Sequence, residues 1–138
     1  MEKIIVIGGN GQLGNCFRKL SENFENKFEF IFTDSQTLDV TDVDKVLDFF
    51  EENKPQYCIN ASAYTAVDLA EKESEKAFAV NAEGVANLAE ACLENKATLI
   101  HVSTDYVFDG ETEIPYSEDD FTNPIGVYGE SKRAGEEM

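Results

Sequence analysis

The sequence predicts an α/β fold built on a parallel β-sheet, and two features of its hydrophobic pattern support this prediction. Short apolar runs have the length and composition of buried parallel strands, at residues 4–7, 28–33, 57–60 and 98–103. Longer segments with apolar residues at helical spacing lie between them, at residues 12–22, 43–52 and 73–94. Because strands and helices alternate, we expect a parallel sheet with right-handed crossover connections.

A glycine-rich turn follows the first predicted strand directly. Residues 8–14 read GGNGQLG, with Gly8, Gly11 and Gly14 at the change from strand to helix. Glycines at these positions allow a tight turn, close approach of the backbone to a pyrophosphate, and close packing of helix on strand. The phosphates would bind free N–H groups at the positive end of the helix dipole. The turn therefore predicts a dinucleotide-binding site.

An acidic residue stands where such a site requires one. Asp34 follows the second predicted strand, 20 residues beyond Gly14. Its carboxylate can accept hydrogen bonds from the adenosine ribose hydroxyls and would repel a 2′-phosphate, which favours NADH modestly over NADPH. Strand, glycine turn, helix and acid together predict a Rossmann-type, doubly wound α/β domain.

The last predicted helix carries the chain to its end. We expect it to begin at Pro124, with Thr122 or Asn123 as its N-terminal cap, and residues 136–138 continue its helix-like sequence. A doubly wound sheet usually has further strands. We therefore expect residues 1–138 to form one partial NAD(P)-binding domain, truncated before the last strands and the substrate lobe. No turnover is expected from this chain alone.

The charge balance argues against several classes of partner. The chain has 28 acidic and 11 basic residues, a formal net charge of −17, and such a field repels nucleic acid and acidic membrane surfaces. No apolar run approaches the roughly 20 residues that a membrane-spanning helix needs, and no secretory signal pattern is present. We expect a cytoplasmic protein without nucleic-acid or membrane partners.

The cysteines and the single histidine do not indicate a metal site. Cys16, Cys58 and Cys92 lie in separate apolar-patterned segments without CxxC spacing, so we expect all three to be reduced and buried. His101 lies within a strand-like run, and we expect it near the site without being a ligand.

A tyrosine and a lysine four residues apart lie in the last predicted helix. Tyr128 and Lys132 share one helix face, since residues at this spacing are separated by roughly 6 Å of rise. The ammonium group would favour ionisation of the phenol, which suits Tyr128 to acid–base chemistry. Tyr128 could then donate a proton to a carbonyl oxygen while a nicotinamide delivers hydride to the carbon, and Lys132 could bind the nicotinamide ribose.

A threonine supplies a third polar group. Thr104 follows the fourth predicted strand, at the carboxyl edge where ligands bind in open α/β sheets. Its hydroxyl could hold a substrate oxygen beside Tyr128 and stabilise the charge that develops there. Together with Lys132, these two residues predict the catalytic group of a NAD(P)-dependent oxidoreductase.

Six motifs cover nearly the whole chain: GGNGQLG at 8–14, LDVTD at 38–42, INASAYTAVDLAE at 59–71, VNAEGVANLAEAC at 80–92, HVSTDYVFDG at 101–110 and NPIGVYGESKRAGE at 123–136. In these motifs the chain resembles the dTDP-4-dehydrorhamnose reductases, a family of extended short-chain dehydrogenases/reductases. STDYVFDG and TAVDLAE are far more specific to this family than the glycine turn. The resemblance implies reduction of the 4-keto group of dTDP-4-dehydro-L-rhamnose to dTDP-L-rhamnose, for cell-surface polysaccharide, with NADH or NADPH.

The resemblance also implies roles for individual residues. The implied cofactor-binding residues are Gly8, Gly11, Gln12, Leu13, Gly14, Asp34, Asp39, Val40, Ala61, Ala63, Tyr64, Thr65, Tyr128 and Lys132. The implied catalytic residues are Tyr128, Lys132 and Thr104, and the implied substrate-binding residues are Thr104 and Asp105. Asn81 matches an asparagine near the site, whereas Val102 departs from relatives that are aromatic there. Members are about twice as long, and some bind Mg²⁺ as homodimers.

Two other functions remain open. A nucleotide-sugar epimerase or dehydratase of the same fold would share the glycine turn and YxxxK, although STDYVFDG and TAVDLAE favour the reductase. A non-catalytic regulatory subunit, resembling that of methionine adenosyltransferase, would carry similar motifs.

Overall fold

The computed structural model describes residues 1–138 and contains one four-stranded parallel sheet. The strands are β1 (Glu2–Ile7), β2 (Phe28–Thr33), β3 (Tyr57–Asn60) and β4 (Thr98–His101), in the spatial order β2-β1-β3-β4. Ile7 of β1 lies opposite Thr33 of β2 and Asn60 of β3, so these strands end level at one edge. The chain runs from β1 to β2 on one side of β1 and then crosses to β3 on its other side. This change of direction opens a crevice at the carboxyl ends of β1 and β3.

Six α-helices connect and flank the strands. They are α1 (Gln12–Ser21), α2 (Val43–Asn53), α3 (Val67–Ala70), α4 (Ser74–Phe78), α5 (Gly84–Asn95) and α6 (Val127–Glu136). A π-helical turn, Ala79–Glu83, joins α4 to α5, and a 3₁₀ turn, Asp105–Val107, follows β4. None of the helices combines the length and the apolar character that crossing a membrane requires.

Apolar side chains cover both faces of the sheet, because successive residues of a strand point to opposite sides. Ile5 of β1 lies in the larger core, which also contains Phe50 of α2 and Leu88 of α5. Val6 lies in the smaller core on the other face, against which Phe17 of α1 packs. Helices therefore cover both faces, and the predicted doubly wound, Rossmann-type class is confirmed.

All four predicted strands are present, but the fourth is shorter than expected. β4 ends at His101, two residues before the predicted end at position 103. Val102 still donates its N–H to the Asn60 carbonyl at 3.2 Å, but its own carbonyl accepts from Lys132 Nζ at 2.7 Å. Lys132 of α6 therefore binds the first backbone carbonyl beyond the end of β4.

The segment 73–94 is helical, as its apolar spacing predicts, but it is not one regular α-helix. A π turn separates α4 from α5, and the short helix α3 before the segment was not predicted. Gly84 begins α5 tightly against Val40, whose Cγ2 atom would lie 2.7 Å from a Cβ at position 84. The π turn contains one buried polar residue, Asn81. A wider turn of this kind changes the helical register locally, and apolar periodicity does not reveal it.

The last helix begins later than predicted. α6 starts at Val127 with Gly126 as its N-cap, so the expected start at Pro124 is wrong, and neither Thr122 nor Asn123 caps the helix. The backbone N–H and the side-chain amide of Asn123 instead donate hydrogen bonds to the chain around the end of the 3₁₀ turn. Because these bonds hold Asn123 in a loop, residues 124–126 stay outside the helix.

The prediction for the cysteines is right for two of the three. Cys58 on β3 and Cys92 on α5 are buried free thiols. Cys16 on α1 is exposed, so the expectation that it is buried is wrong. The short helix α1 covers the sheet with only part of its surface, and Cys16 lies on the part that faces solvent.

Candidate active site

A cleft of about 630 Å³ lies at the carboxyl ends of β1, β2 and β3. Its volume is within the range of ordinary ligand sites, roughly 300–1,000 Å³. It is lined by most of the residues expected to bind the cofactor: Gly8, Gly11, Gln12, Leu13, Asp34, Asp39, Val40, Ala61, Ala63, Tyr64 and Thr65. The fold therefore brings together residues from three separate sequence motifs and Asp34.

The glycine turn at one end of this cleft is shaped by backbone contacts. Gly8 has φ +80°, and a Cβ there would lie 2.8 Å from the backbone nitrogen of Ser62. Gly9 donates its N–H to the Thr33 carbonyl at 2.7 Å, and Gly11 donates to the Gly8 carbonyl at 3.0 Å. The turn is thus held between β2 and the segment that follows β3, and its residues line the cleft.

Gly14 has a different role from the other glycines of the motif. It is buried within α1 and does not line the cleft. A Cβ at position 14 would lie 2.3 Å from the Gly8 carbonyl oxygen, so glycine is required for α1 to approach the turn. Gln12 and Leu13, the first residues of α1, consequently lie at the cleft with the positive end of the helix dipole.

Asp34 lines the same cleft with its carboxylate already organised. Oδ1 accepts hydrogen bonds from Gln36 N at 3.0 Å, Thr37 N at 2.9 Å and Thr37 Oγ1 at 3.0 Å. Oδ2 accepts from Asn10 Nδ2 of the glycine turn at 2.5 Å. The bonds from Thr37 and Gln36 lower the pKa of Asp34. The group is therefore a carboxylate at neutral pH, in the cleft where the adenosine ribose is expected.

The third side of the cleft is the segment 61–65 after β3. Asn60 Oδ1 accepts from the N–H of Ser62 at 3.0 Å and from its hydroxyl at 2.6 Å, which fixes the start of the segment. The Tyr64 hydroxyl donates to Glu73 Oε2 at 2.5 Å, and this bond raises the pKa of Tyr64 to about 12. Because its phenol is bound by a carboxylate and stays protonated, Tyr64 is unsuited to act as an acid–base group.

The predicted proton-transfer residues lie on α6. Lys132 is only 2% exposed, and its Nζ donates to the Val102 carbonyl at 2.7 Å. Burial lowers the pKa of Lys132, and the nearby Glu136 opposes this shift. Tyr128 is half-buried and packs edge-to-face against Tyr106, with ring centroids 5.7 Å apart.

A second cleft, of about 470 Å³, opens beside Tyr128. Asp105, Tyr106 and Tyr128 line it, together with Val67, which follows the segment 61–65 of the first cleft. α6 approaches the 3₁₀ turn closely, since a Cβ at Gly129 would lie 2.2 Å from the Tyr106 carbonyl oxygen. The expected substrate residue Asp105 and the expected proton donor Tyr128 therefore share a cavity.

Thr104 and Lys132 line neither cleft. Thr104 is the N-cap of the 3₁₀ turn, where its Oγ1 accepts from the Tyr106 N–H at 3.2 Å. It lies next in sequence to Asp105, and its hydroxyl donates to Asp105 Oδ1 at 3.4 Å. The structure therefore places Thr104 beside the second cleft with its hydroxyl engaged in a local turn.

Asp109 organises the wall of the second cleft, and the sequence analysis did not select it. Its carboxylate accepts from the Tyr116 hydroxyl at 2.7 Å, the Glu111 N–H at 3.0 Å and Asn123 Nδ2 at 3.1 Å. These bonds lower the pKa of Asp109. The Phe108 and Tyr116 rings also stack at 4.3 Å. The final aspartate of the STDYVFDG motif thus holds a long loop in place.

Asn81 joins the segment 61–65 of the first cleft to α6. It is 1% exposed, and both polar atoms of its amide bind the backbone of Tyr64: Oδ1 accepts from N at 2.8 Å, and Nδ2 donates to O at 3.0 Å. Nδ2 also donates to Ser131 Oγ at 3.0 Å, and Ser131 Oγ donates to the Tyr128 carbonyl at 2.9 Å. A polar residue on the apolar face of a helical segment was the available sequence signal for this role.

His101 lies beneath the site, as predicted. Its Nδ1 is 3.1 Å from Asn60 Nδ2, and its buried Nε2 has no protein partner. Burial, reinforced by the charge of Lys132, lowers the pKa of His101 to about 4. The imidazole is therefore neutral at neutral pH, with Nδ1 accepting from Asn60.

The fold and the position of the cleft are those of a Rossmann-type α/β domain. More specifically, the chain belongs to the RmlD substrate binding domain family, whose model matches residues 1–138. It is 42% identical over 138 residues to the dTDP-4-dehydrorhamnose reductase of Aggregatibacter actinomycetemcomitans, covering 100% of this chain and 47% of that protein. The chain spans about half the length of the curated relatives that it matches.

Solved structures agree with this assignment. A dTDP-4-dehydrorhamnose reductase from Bacillus anthracis in complex with NADP has a TM-score of 0.94 and 39% identity, covering 99% of this chain and 48% of that one. A dTDP-4-dehydrorhamnose reductase from Clostridium acetobutylicum has a TM-score of 0.91 and 45% identity, covering 98% of this chain and 48% of that one. UDP-glucose 4-epimerase from Brucella ovis, at 22% identity, TM-score 0.89 and coverages of 100% and 46%, shares the fold.

Proposed function

We propose that this chain is the cofactor-binding and proton-transfer part of a reductase that converts dTDP-4-dehydro-L-rhamnose to dTDP-L-rhamnose. The observation that carries the proposal is the Asn81 amide, which binds the Tyr64 backbone in the first cleft and Ser131 on the helix of Tyr128 and Lys132. A dinucleotide cleft and a tyrosine–lysine pair thus belong to one hydrogen-bonded unit. Motif similarity and the named relatives support the same substrate.

The residues of the first cleft fit a dinucleotide. Free N–H groups at the start of α1 suit a pyrophosphate, and the glycine turn lines the cleft beside them. The Asp34 carboxylate suits ribose hydroxyls. When bound, the reduced nicotinamide would supply the hydride for the sugar carbonyl carbon.

The protein's own part in the reaction would be to bind the sugar and move one proton. The Tyr128 hydroxyl would donate its proton to the 4-keto oxygen as that oxygen becomes a hydroxyl. The buried Lys132 ammonium would favour the resulting phenolate and bind the nicotinamide ribose. Asp105 would contact the sugar, and Thr104 would stabilise the charge on the reacting oxygen.

We propose NADH as the modestly preferred cofactor, because the ionised Asp34 would repel a 2′-phosphate. A relative has been solved with NADP, so both reduced cofactors belong in the test. A cytoplasmic homodimer and Mg²⁺ binding, implied by the resemblance, stay predictions that sedimentation and metal titration can test.

The test uses the protein at its full natural length, since its relatives are about twice as long as this chain. It is incubated with dTDP-4-dehydro-L-rhamnose and NADH or NADPH, cofactor oxidation is followed by absorbance, and the product is identified by NMR. We expect dTDP-L-rhamnose in a one-to-one ratio with oxidised cofactor. An epimerised or dehydrated sugar without net cofactor oxidation would overturn the proposal in favour of an epimerase or dehydratase. Binding to a methionine adenosyltransferase without oxidation on any keto-sugar would favour a regulatory subunit.

A further inference from the structure

The start of α6 is capped by a residue from a distant part of the chain. An α-helix leaves its first N–H groups without partners inside the helix. The N-cap of α6 is Gly126, which has no side chain to accept from them. Instead, Val127 donates its N–H to Glu71 Oε1 at 2.8 Å, across 56 positions of sequence.

The local geometry leaves space for this carboxylate. A Cβ at Gly126 would lie 3.1 Å from Glu71 Oε1, tighter than ordinary van der Waals contact. Gly126 itself is extended, with φ −147°, so glycine here provides room and not a special backbone conformation. A carboxylate at the amino end of a helix is also attracted by the positive end of the helix dipole.

Glu71 belongs to the segment that connects the two clefts. It directly follows α3, whose last residue, Ala70, is fully buried. α3 itself follows the cofactor-side segment 61–65, and its first residue, Val67, lines the second cleft with Tyr128. The carboxylate thus ties this connecting segment to the residue immediately before Tyr128.

We propose that Glu71 is a positioning residue that sets where α6 begins and therefore where the Tyr128 hydroxyl lies relative to the cofactor-side segment. This inference rests on the proposed function, because it assigns Tyr128 as the proton donor. Asn81 fixes the second turn of α6 through Ser131, and Glu71 fixes the first turn through Val127. Small displacements of a reacting group are costly, and a shift of about 1 Å can reduce the rate about 100-fold.

The test compares Glu71→Ala and Glu71→Gln in the full-length protein. Glu75→Ala is the matched control, because Glu75 is an exposed glutamate in α4 whose carboxylate has no hydrogen bond or ion pair. We expect Glu71→Ala to lower kcat roughly 10- to 100-fold, with KM for the keto-sugar and Kd for NADPH changed less than about twofold. Glu71→Gln should recover most of kcat, since its amide oxygen can accept from Val127.

Hydrogen exchange provides a readout that does not depend on turnover. Peptides covering the first turn of α6 should exchange faster in Glu71→Ala than in wild type or Glu71→Gln, without faster exchange in the β-sheet. All rates are measured well below the melting temperature of the least stable variant. Faster exchange with unchanged kcat would reduce Glu71 to a structural cap and overturn the inference.

Wild type and the Glu71 variants separate failure of the proposed function from failure of the positioning role. Wild-type protein that oxidises no NAD(P)H with the keto-sugar would overturn the proposed function itself. Wild-type turnover with a Glu71→Ala variant of equal kcat would overturn only the positioning role. A Glu71→Gln variant as slow as Glu71→Ala would also contradict the positioning role. The hydrogen bond from Val127 to an oxygen of residue 71 would then not be what sustains kcat.

Discussion

The glycine turn and the region of α6 lie at the same edge of the sheet, but they are built in opposite ways. The turn is made of backbone, and added atoms at Gly8 or Gly14 would collide with neighbouring main chain. The helix region is made of polar side chains, with Lys132 and Asn81 buried and each hydrogen-bonded. The first region is therefore sensitive to atoms that are added, and the second to polar groups that are removed.

The largest expected effect comes from removing one oxygen atom in the region of α6, which is built of side chains. Tyr128→Phe in the full-length protein should lower kcat by roughly 10²- to 10⁴-fold, because no other group replaces its proton. NADH binding, which depends on the glycine-turn region, should change less than about twofold.

Cofactor oxidation and fluorescence titration measure the two quantities for Tyr128→Phe. Tyr57→Phe is the matched control, since Tyr57 packs against the smaller core on β3 and should lose its hydroxyl without consequence. Retained turnover in Tyr128→Phe would remove this residue from the proposed mechanism.

The glycine turn, which is built of backbone, is tested by adding one methyl group. Gly8→Ala should destabilise the fold by about 3 kcal/mol and abolish dinucleotide binding, because it combines left-handed strain with a collision at Ser62 N. Gly110 has a similar φ of +77° but nothing within 4 Å of a built Cβ. Gly110→Ala should therefore cost only about 1 kcal/mol and leave binding intact.

Urea unfolding and cofactor titration on both glycine variants separate strain from collision. Equal losses of stability at the two positions would mean that backbone strain alone, and not contact with the segment after β3, makes Gly8 necessary.

A smaller effect should appear in the pH dependence of stability. The pKa of His101 is about 4 in the folded protein and 6.5 when unperturbed, so between these values the unfolded chain binds a proton that the folded chain does not. Stability should therefore fall as pH decreases from 6.5 to 4, by about 2 kcal/mol after allowance for partial exposure.

The comparison with His101→Gln isolates this contribution, because glutamine can still accept from Asn60 and does not titrate. Unfolding free energies of both proteins are measured at several pH values across the window. The lowered pKa values of Asp34 and Asp109 give losses of stability at lower pH, in both proteins alike. Parallel curves for wild type and variant between pH 6.5 and 4 would be inconsistent with a neutral buried imidazole.

The smallest expected effect concerns the choice of cofactor. Asp34→Ala should raise the ratio of kcat/KM for NADPH to that for NADH roughly five- to tenfold, because one nearby negative charge is removed. Asp44→Ala, an exposed acid at the start of α2, is the control. A ratio that moves equally in both variants would point to net charge as its cause, and not to Asp34.

The sequence was sufficient for the parts of the molecule that depend on local pattern. The positions of β2 and β3, the glycine turn and the acid after β2 follow from apolar runs and short spacings, and they lie where predicted. Asp34 could be selected because a strand end fixes where its side chain points.

The parts that could not be predicted depend on contacts between distant residues. The bond from Val127 to Glu71 and the bonds of Asn81 cross 56, 17 and 50 positions, so no local pattern encodes them. The start of α6 was misplaced for the same reason: Pro124 is locally suited to begin a helix, but Asn123 is held by the preceding loop. Thr104 was identified by its place after β4, whereas its capping role required the structure.

The π turn at Ala79–Glu83 makes the segment's exact length matter. A π turn holds one residue more than the same stretch of α-helix, so losing a single residue here would leave a regular α-helix with α4 and α5 still in register. Leu88 and Ala91 would then stay in their core, but Asn81 would no longer lie where its amide meets the Tyr64 backbone. A one-residue deletion would therefore keep the helix and lose the hydrogen bonds that join the first cleft to α6.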